Sequence, residues 1–179
     1  PKTKMSKFKK YAGLFADAGA FDIPENLSLG MSFKVTPDVR VAADFQRIKY
    51  SDVTSIGNPI TNRMPLGSKG APGFGWSDVN VFKIGVEWQA MPALTLRAGF
   101  NKSDSPIQGR DVSFNIVAPG VTTTHFTLGG TYALSKTSEL TVAYMHAPKQ
   151  TVTGQSFLAG NESIRMSQNS LGIQFGWKF

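Results

Sequence analysis

The chain has 179 residues, enough for one domain with a sizeable core if it were soluble. It has no cysteine, which excludes a disulfide scaffold and thiolate metal sites, and its longest apolar runs are a handful of residues, too short for a membrane-crossing helix. The formal net charge is +7, but Lys2, Lys4, Lys7, Lys9 and Lys10 crowd the first ten residues and the other basic residues are scattered, so nucleic acid is not the expected partner. A mean hydropathy of -0.14 suits a soluble domain and a β-barrel alike. The chain starts on Pro1 with no signal peptide before its first strand-like segment, and reads as a processed or partial chain whose start lies upstream.

Helical periodicity is missing, and 18 Gly and 10 Pro cut the chain into short pieces with a period of two, so the fold class is all-β. The first candidate strand is Lys7 to Phe15, blurred by Lys9, Lys10 and Tyr11. Asn26 to Val35 is clearer: Leu27, Leu29, Met31, Phe33 and Val35 share one face. After a Thr36-Pro37-Asp38 turn, Val39, Val41, Ala43 and Phe45 alternate with Arg40, Ala42, Asp44 and Gln46. The phase slips near Arg47-Ile48, where a β-bulge is expected. A long Gly/Pro-rich connection follows from about 52 to 77. Phe82, Ile84, Val86 and Trp88 then form one face of a strand that turns at Met91-Pro92-Ala93 into Leu94, Leu96, Ala98 and Phe100. A second long connection runs from about 103 to 122. Phe126, Leu128, Gly130, Tyr132 and Leu134 make the next face, Ser135 to Ser138 the next turn, and Leu140, Val142 and Tyr144 the next strand. A third long loop is expected over Pro148 to Ser167. The last strand, Ser170 to Phe179, places Leu171, Ile173, Phe175, Trp177 and Phe179 on one side.

These segments make about eight antiparallel strands, with short turns at one end and long loops at the other, as in transmembrane β-barrels of the outer membrane. On the strands that descend into short turns, Phe33, Trp88, Tyr132 and Trp177 occupy equivalent outward positions, and they are expected to form an aromatic girdle at the periplasmic interface. In a soluble sandwich the same rings would be core aromatics, with no reason for matched depth. Lys34, Asp44, Lys83, Glu87, Arg97 and Lys178 fall on the opposite, inward parity with Gly, Ser, Thr and Gln. An apolar outside and a polar inside invert the pattern of a soluble protein.

Several stretches in order, Phe21-Asp-Ile-Pro24, Gln46-Arg-Ile-Lys-Tyr-Ser-Asp52, Gly73-Phe-Gly-Trp-Ser-Asp78, Leu94-Thr-Leu-Arg-Ala-Gly99, Asp104-Ser-Pro106, Ala143-Tyr-Met-His-Ala147 and Gly176-Trp-Lys-Phe179, resemble the C-terminal half of the FadL/TodX-type outer-membrane transporters of long-chain fatty acids and hydrocarbons. The resemblance implies that residues 1–179 are the C-terminal portion of one barrel domain of about fourteen strands, with an N-terminal hatch and a kinked early strand upstream. It implies passive diffusion of a hydrophobic compound, captured by extracellular loops and released sideways through the wall. It also implies a monomer in the bacterial outer membrane whose closing strand is read by the outer-membrane assembly machinery through the final Phe179. No cofactor is expected.

Apolar cargo requires a dry pocket, and a fatty acid also requires a cation for its carboxylate. In the resembling family a lysine before the strand that starts near Asp78 contacts the head group, which points to Lys69. Lys83 and Arg97 on neighbouring strands are further candidates, or else pair with Glu87 and Asp44 as a structural network. Phe74, Phe114, Ile116 and Val117 are candidate capture residues, or else loop packing. His125 and His146, with no Cys and no acidic cluster, do not make a metal site. Nothing places a nucleophile beside a base, so an enzyme is not expected. The alternative function is a complete eight-stranded structural or adhesion barrel, and a third reading is a soluble lipid-binding barrel.

Overall fold

A computed structural model describes residues 2–5, 10, 12–156 and 160–178. Seven antiparallel strands lie side by side in sequence order: β1 (Glu25–Thr36), β2 (Val39–Lys49), β3 (Val79–Met91), β4 (Leu94–Ser103), β5 (Thr124–Ala133), β6 (Ser138–Gln155) and β7 (Asn161–Trp177). The hairpins β1/β2, β3/β4 and β5/β6 close with two to four residues at one end, and the longer connections all lie at the other. The expected first strand falls in part outside the described residues, at Lys7, Phe8, Lys9 and Tyr11, and its remainder, Lys10 and 12–15, holds no strand. The described sheet therefore holds seven strands, and among the described residues an isolated bridge, Thr3 to Ile23, is the only β-pairing before it.

The alternating faces differ sharply. Leu29 is 71% exposed, Leu171 68% and Ile173 69%, and, apart from Met91 at the lower turn, the exposed large apolar side chains of β1, β3 and β7 belong to the face foreseen as outward. A sheet presenting that much apolar surface to water would be an aggregation site; against hydrocarbon it is matched.

The registers also set the tilt. Following the ladders straight across, Phe33 meets Val41 and then Val86; Trp88 meets Leu96 and then Gly130; Tyr132 meets Leu140 and then Phe175. In each case the girdle residue lies two positions further down the descending strand: Trp88 past Val86, Tyr132 past Gly130, Trp177 past Phe175. Two residues of rise, about 6.8 Å, against two strand spacings, about 9.6 Å, correspond to a tilt of about 35°, the inclination at which transmembrane strands run. At that tilt the four rings share one depth. Counting back eight residues from each ring gives Glu25, Asn80, Thr124 and Asn169. All four are polar, on the same outward parity. Eight residues on strands tilted by about 35° rise about 22 Å, close to the apolar height of such barrels, about 25 Å. The outer face is thus an apolar band between an aromatic girdle and a polar rim.

Two expectations are corrected at the upper strand ends. No bulge occurs at Arg47-Ile48: β2 pairs without interruption with β1 from Lys49 to Arg40 and with β3 from Ile48 to Val39. Arg47 keeps the outward parity but has risen above the apolar band into the rim, where it pairs with Asp78 at 3.6 Å, and this alone breaks the apolar alternation. Nor is 148–167 a long loop. β6 and β7 continue as one hairpin to Gln155 and Asn161. A bulge lets Pro148 and Lys149 together oppose Ser167, reversing the parity of β6, so that Ala147 before it and Val152 after it both face inward. Polar residues and a flipped phase hide this extension from period-two reading.

The buried core lies above the apolar band, where the long connections meet the upper ends of the strands. Ile107, Val112 and Val121 from the connection 104–123 pack on Ile164 of β7, with Trp76, Val152 and Met166 around them. The long connections form a folded cap on the hairpin β6/β7 and on the upper ends of the strands.

Candidate functional site: a loop-built apolar cavity

The connection 50–78 contributes a 3-10 turn at Tyr50–Asp52 and a one-turn helix at Thr54–Gly57. The connection 104–123 contributes two 3-10 turns, Gly109–Asp111 and Phe114–Val117. At the N-terminal side, Asp17 and Ala18 adopt left-handed conformations (φ 50° and 54°). Their amides donate to Ser68 O at 3.0 Å and Gly67 O at 2.8 Å. Three segments distant in sequence thereby meet in one cap.

Two buried polar side chains tie 104–123 to 50–78. Asn115, 0% exposed, accepts from Trp76 Nε1 at 2.6 Å and donates through Nδ2 to Phe74 O at 2.7 Å and Asp111 O at 2.9 Å. Asp111, also buried, accepts from the Ile60 amide at 2.8 Å and lies 3.1 Å from Arg110 Nε. Burial pushes the Asp111 carboxyl above the ordinary aspartate range, opposed by the Ile60 amide and by Arg110. Gly75, at φ +69°, lets the backbone pass this carboxylate: a Cβ there would stand 2.1 Å from Asp111 Cγ.

This framework presents a row of aromatic rings. Phe15 meets Phe21 edge-on with centroids 4.8 Å apart, Phe21 lies 6.4 Å from Phe74, and Phe74 stacks on Phe114 at 5.2 Å and 22°. Beside the last ring is a cavity of about 410 Å³ lined by Leu14, Ile60, Leu66, Phe114 and Ile116, with Ser113 and Glu162 at its polar edge. Its size and composition fit a small apolar ligand. Glu162 accepts from Ser113 Oγ at 2.5 Å and from Ser156 Oγ. These hydroxyls, Ser113 first, hold its carboxyl below the usual range, so it is ionised at neutral pH.

Of the residues singled out from sequence, Phe74, Phe114 and Ile116 come together here; Val117 is exposed beside them. The cations do not converge. Lys69 is exposed on the cap, with its backbone carbonyl accepting from Asn58 Nδ2 at 3.0 Å. Lys83 donates to Gln46 Oε1 at 3.1 Å. Arg97 forms an ion pair with Glu87 at 2.8 Å and donates to Thr131 Oγ1 at 2.8 Å. Lys83 and Glu87, which pairs with Arg97, are separated by four positions on β3, about 14 Å. For Arg97 the network with Glu87 is the arrangement present, whereas Lys83 pairs with Gln46 and not with Asp44. Asn115, Asp111, Asn58 and Trp76 were missed by sequence reasoning. The only signal for any of them was Trp76 inside the Gly73 to Asp78 stretch.

The family model for outer membrane protein transport proteins (OMPP1/FadL/TodX) matches residues 10–177. The chain belongs to the FadL/TodX family. It is accordingly an outer-membrane protein, and its polar face is the inner face of a β-barrel wall. Similar solved structures include the toluene transporter TodX of P. putida, at 22% identity and TM-score 0.64 over 89% of this chain and 35% of that one. The toluene transporter TbuX of Ralstonia pickettii gives 20% and 0.55 over 88% and 34%. The monoaromatic hydrocarbon channel CymD gives 20% and 0.55 over 90% and 40%. The chain thus spans about a third of the length of these FadL/TodX-family channels. A search of curated protein sequences found no match.

Proposed function

We propose that this chain supplies the C-terminal wall and part of the ligand-capturing cap of a passive, monomeric outer-membrane channel for hydrophobic compounds. The observation that carries the proposal is the apolar cavity at Phe114 and Ile116, held at the top of a lipid-facing wall by Asn115 and Asp111. A ligand entering it leaves water at about 0.8 kcal/mol per methylene, and the step needs no energy source or covalent chemistry. The hatch, the remaining strands and the lateral exit belong to the rest of the barrel. β7 is the segment that the outer-membrane assembly machinery would read; Phe179 lies outside the described residues.

The cavity edge favours neutral hydrocarbons over fatty acids. The ionised Glu162 would repel a carboxylate brought to it. Arg97 is already neutralised by Glu87, and Lys83 is engaged with Gln46, which leaves Lys69 as the head-group candidate for a fatty acid. Binding of toluene and of a long-chain fatty acid to the full-length channel tests this. Phe114→Ala with Ile116→Ala should weaken toluene binding about tenfold or more, at about 0.8 kcal/mol per lost methylene contact. Glu162→Gln should improve fatty-acid binding and spare toluene, and Lys69→Ala should weaken only the fatty acid. Unchanged toluene binding in the double variant would overturn the assignment of the cavity.

A further inference from the structure

The polar rim above the apolar band is not uniform. On the β1–β3 side its cations are matched by acids: Lys49 pairs with Glu25 at 2.5 Å, and Arg47 with Asp78 at 3.6 Å. On the β4–β7 side they are not. Lys102, on the outward parity of β4, leans toward β5 and donates to Thr124 Oγ1 at 3.0 Å. The neighbouring acid, Asp104, turns the other way and accepts from the Asn80 amide and Nδ2, each at 2.9 Å. Lys149 is turned outward by the bulge opposite Ser167, and Arg165 has the outward parity of β7 opposite Thr151. Both are exposed. Among the described residues, Lys102, Lys149 and Arg165 form no ion pair, and β5, β6 and β7 place no acidic side chain outward at this height, since Glu162 faces inward with Ile164.

Lys102 and Lys149 are two strands apart, about 10 Å, with Lys102 beside the rim residue Thr124; Arg165 stands one strand on, two residues beyond Ser167 and four above the rim residue Asn169, about 11 Å higher than the rim. Lys102 and Lys149, directly above a surface in contact with acyl chains, stand where lipid phosphates lie, and Arg165 stands above them toward the outer part of a large head group. We infer that Lys102, Lys149 and Arg165 form a binding site for the phosphorylated head group of a lipid in the outer leaflet, whose acyl chains cover Phe100, Phe126 and Leu128 below. The occupant is a lipid and not a free anion, because the cationic patch is continuous with the apolar band and both parts of one molecule are satisfied together.

Full-length protein in neutral detergent is titrated with fluorescent lipid A, a glycolipid carrying two phosphates. The triple variant K102Q/K149Q/R165Q should bind about a hundredfold more weakly, at about a factor of five per cation facing an anionic lipid. Removing both phosphates from the lipid should produce a loss of similar size. R47Q/K49Q, on the acid-matched side, should change binding less than twofold. Heat-modifiable migration in gels reports folding, and if the triple variant fails to fold, Lys149→Gln alone should cost about fivefold. Equal binding by wild type and variant, equal binding of the dephosphorylated lipid, or displacement by millimolar inorganic phosphate as effectively as by unlabelled lipid A would overturn the inference.

Discussion

Ile173 lies four residues from the rim residue Asn169 and four from the girdle residue Trp177, which puts it about 11 Å below one interface and above the other on strands tilted by about 35°. It is 69% exposed on the apolar face and pairs with Val142. Its sequence neighbour Gln174 pairs with Thr141 on the inner face. Ile173→Arg places a cation at the bilayer midplane, where it costs about 2–4 kcal/mol. Gln174→Arg adds a charge to a wetted wall and should cost well under about 1 kcal/mol, and Asn169→Arg, at the interface, about 0–1 kcal/mol. Urea titration of the full-length protein in lipid vesicles, followed by tryptophan fluorescence, measures all three. Ile84, midway between Asn80 and Trp88, is the equivalent position on β3, and Ile84→Arg should match Ile173→Arg. Equal destabilisation by Ile173→Arg and Gln174→Arg would refute the facing, and an Asn169→Arg as costly as Ile173→Arg would refute the rim and the tilt.

Other predictions concern the cap. Asn115→Ala strands Trp76 Nε1 and the Phe74 carbonyl without a partner and should loosen the cap by roughly 2–3 kcal/mol, seen as faster proteolysis within 104–123 while the barrel keeps its heat-modifiable migration. Gly75→Ala forces a Cβ onto Asp111 at a positive φ and should destabilise the same segment by about 1–3 kcal/mol, with slower exchange protection refuting the close approach. The pH dependence follows from Asp111. Because its folded pKa is raised, the folded cap holds its proton more tightly than the unfolded chain, so cap stability is full below the unfolded aspartate value of about 3.9 and falls as pH rises from there through the folded pKa. Hydrogen exchange of 104–123 should therefore quicken from pH 4 to 7 in the wild type and lose that component in Asp111→Asn.

Alternation along β1, β3 and β7 is written in neighbouring residues, and for that reason the membrane-crossing parts of these strands, the identity of the lipid-facing side, the short turns at Pro37 and Pro92 and the girdle aromatics were legible in the sequence alone. Each depends on the two-residue period of an extended chain, a local property. The tertiary structure decided whatever depends on partners far along the chain. Pairing through β2, β4 and β6 set the two-residue stagger, and the stagger turned four separate aromatics into one level and Glu25, Asn80, Thr124 and Asn169 into another. The bulge at Pro148 and Lys149 carried β6 on past its expected end by reversing its parity. Asn115 reached Trp76 across 39 positions, and Asp111 reached Ile60 across 51. Such contacts leave no periodic trace, because a buried polar side chain in a loop is specified by the one geometry that satisfies its hydrogen bonds and not by its place in a repeat.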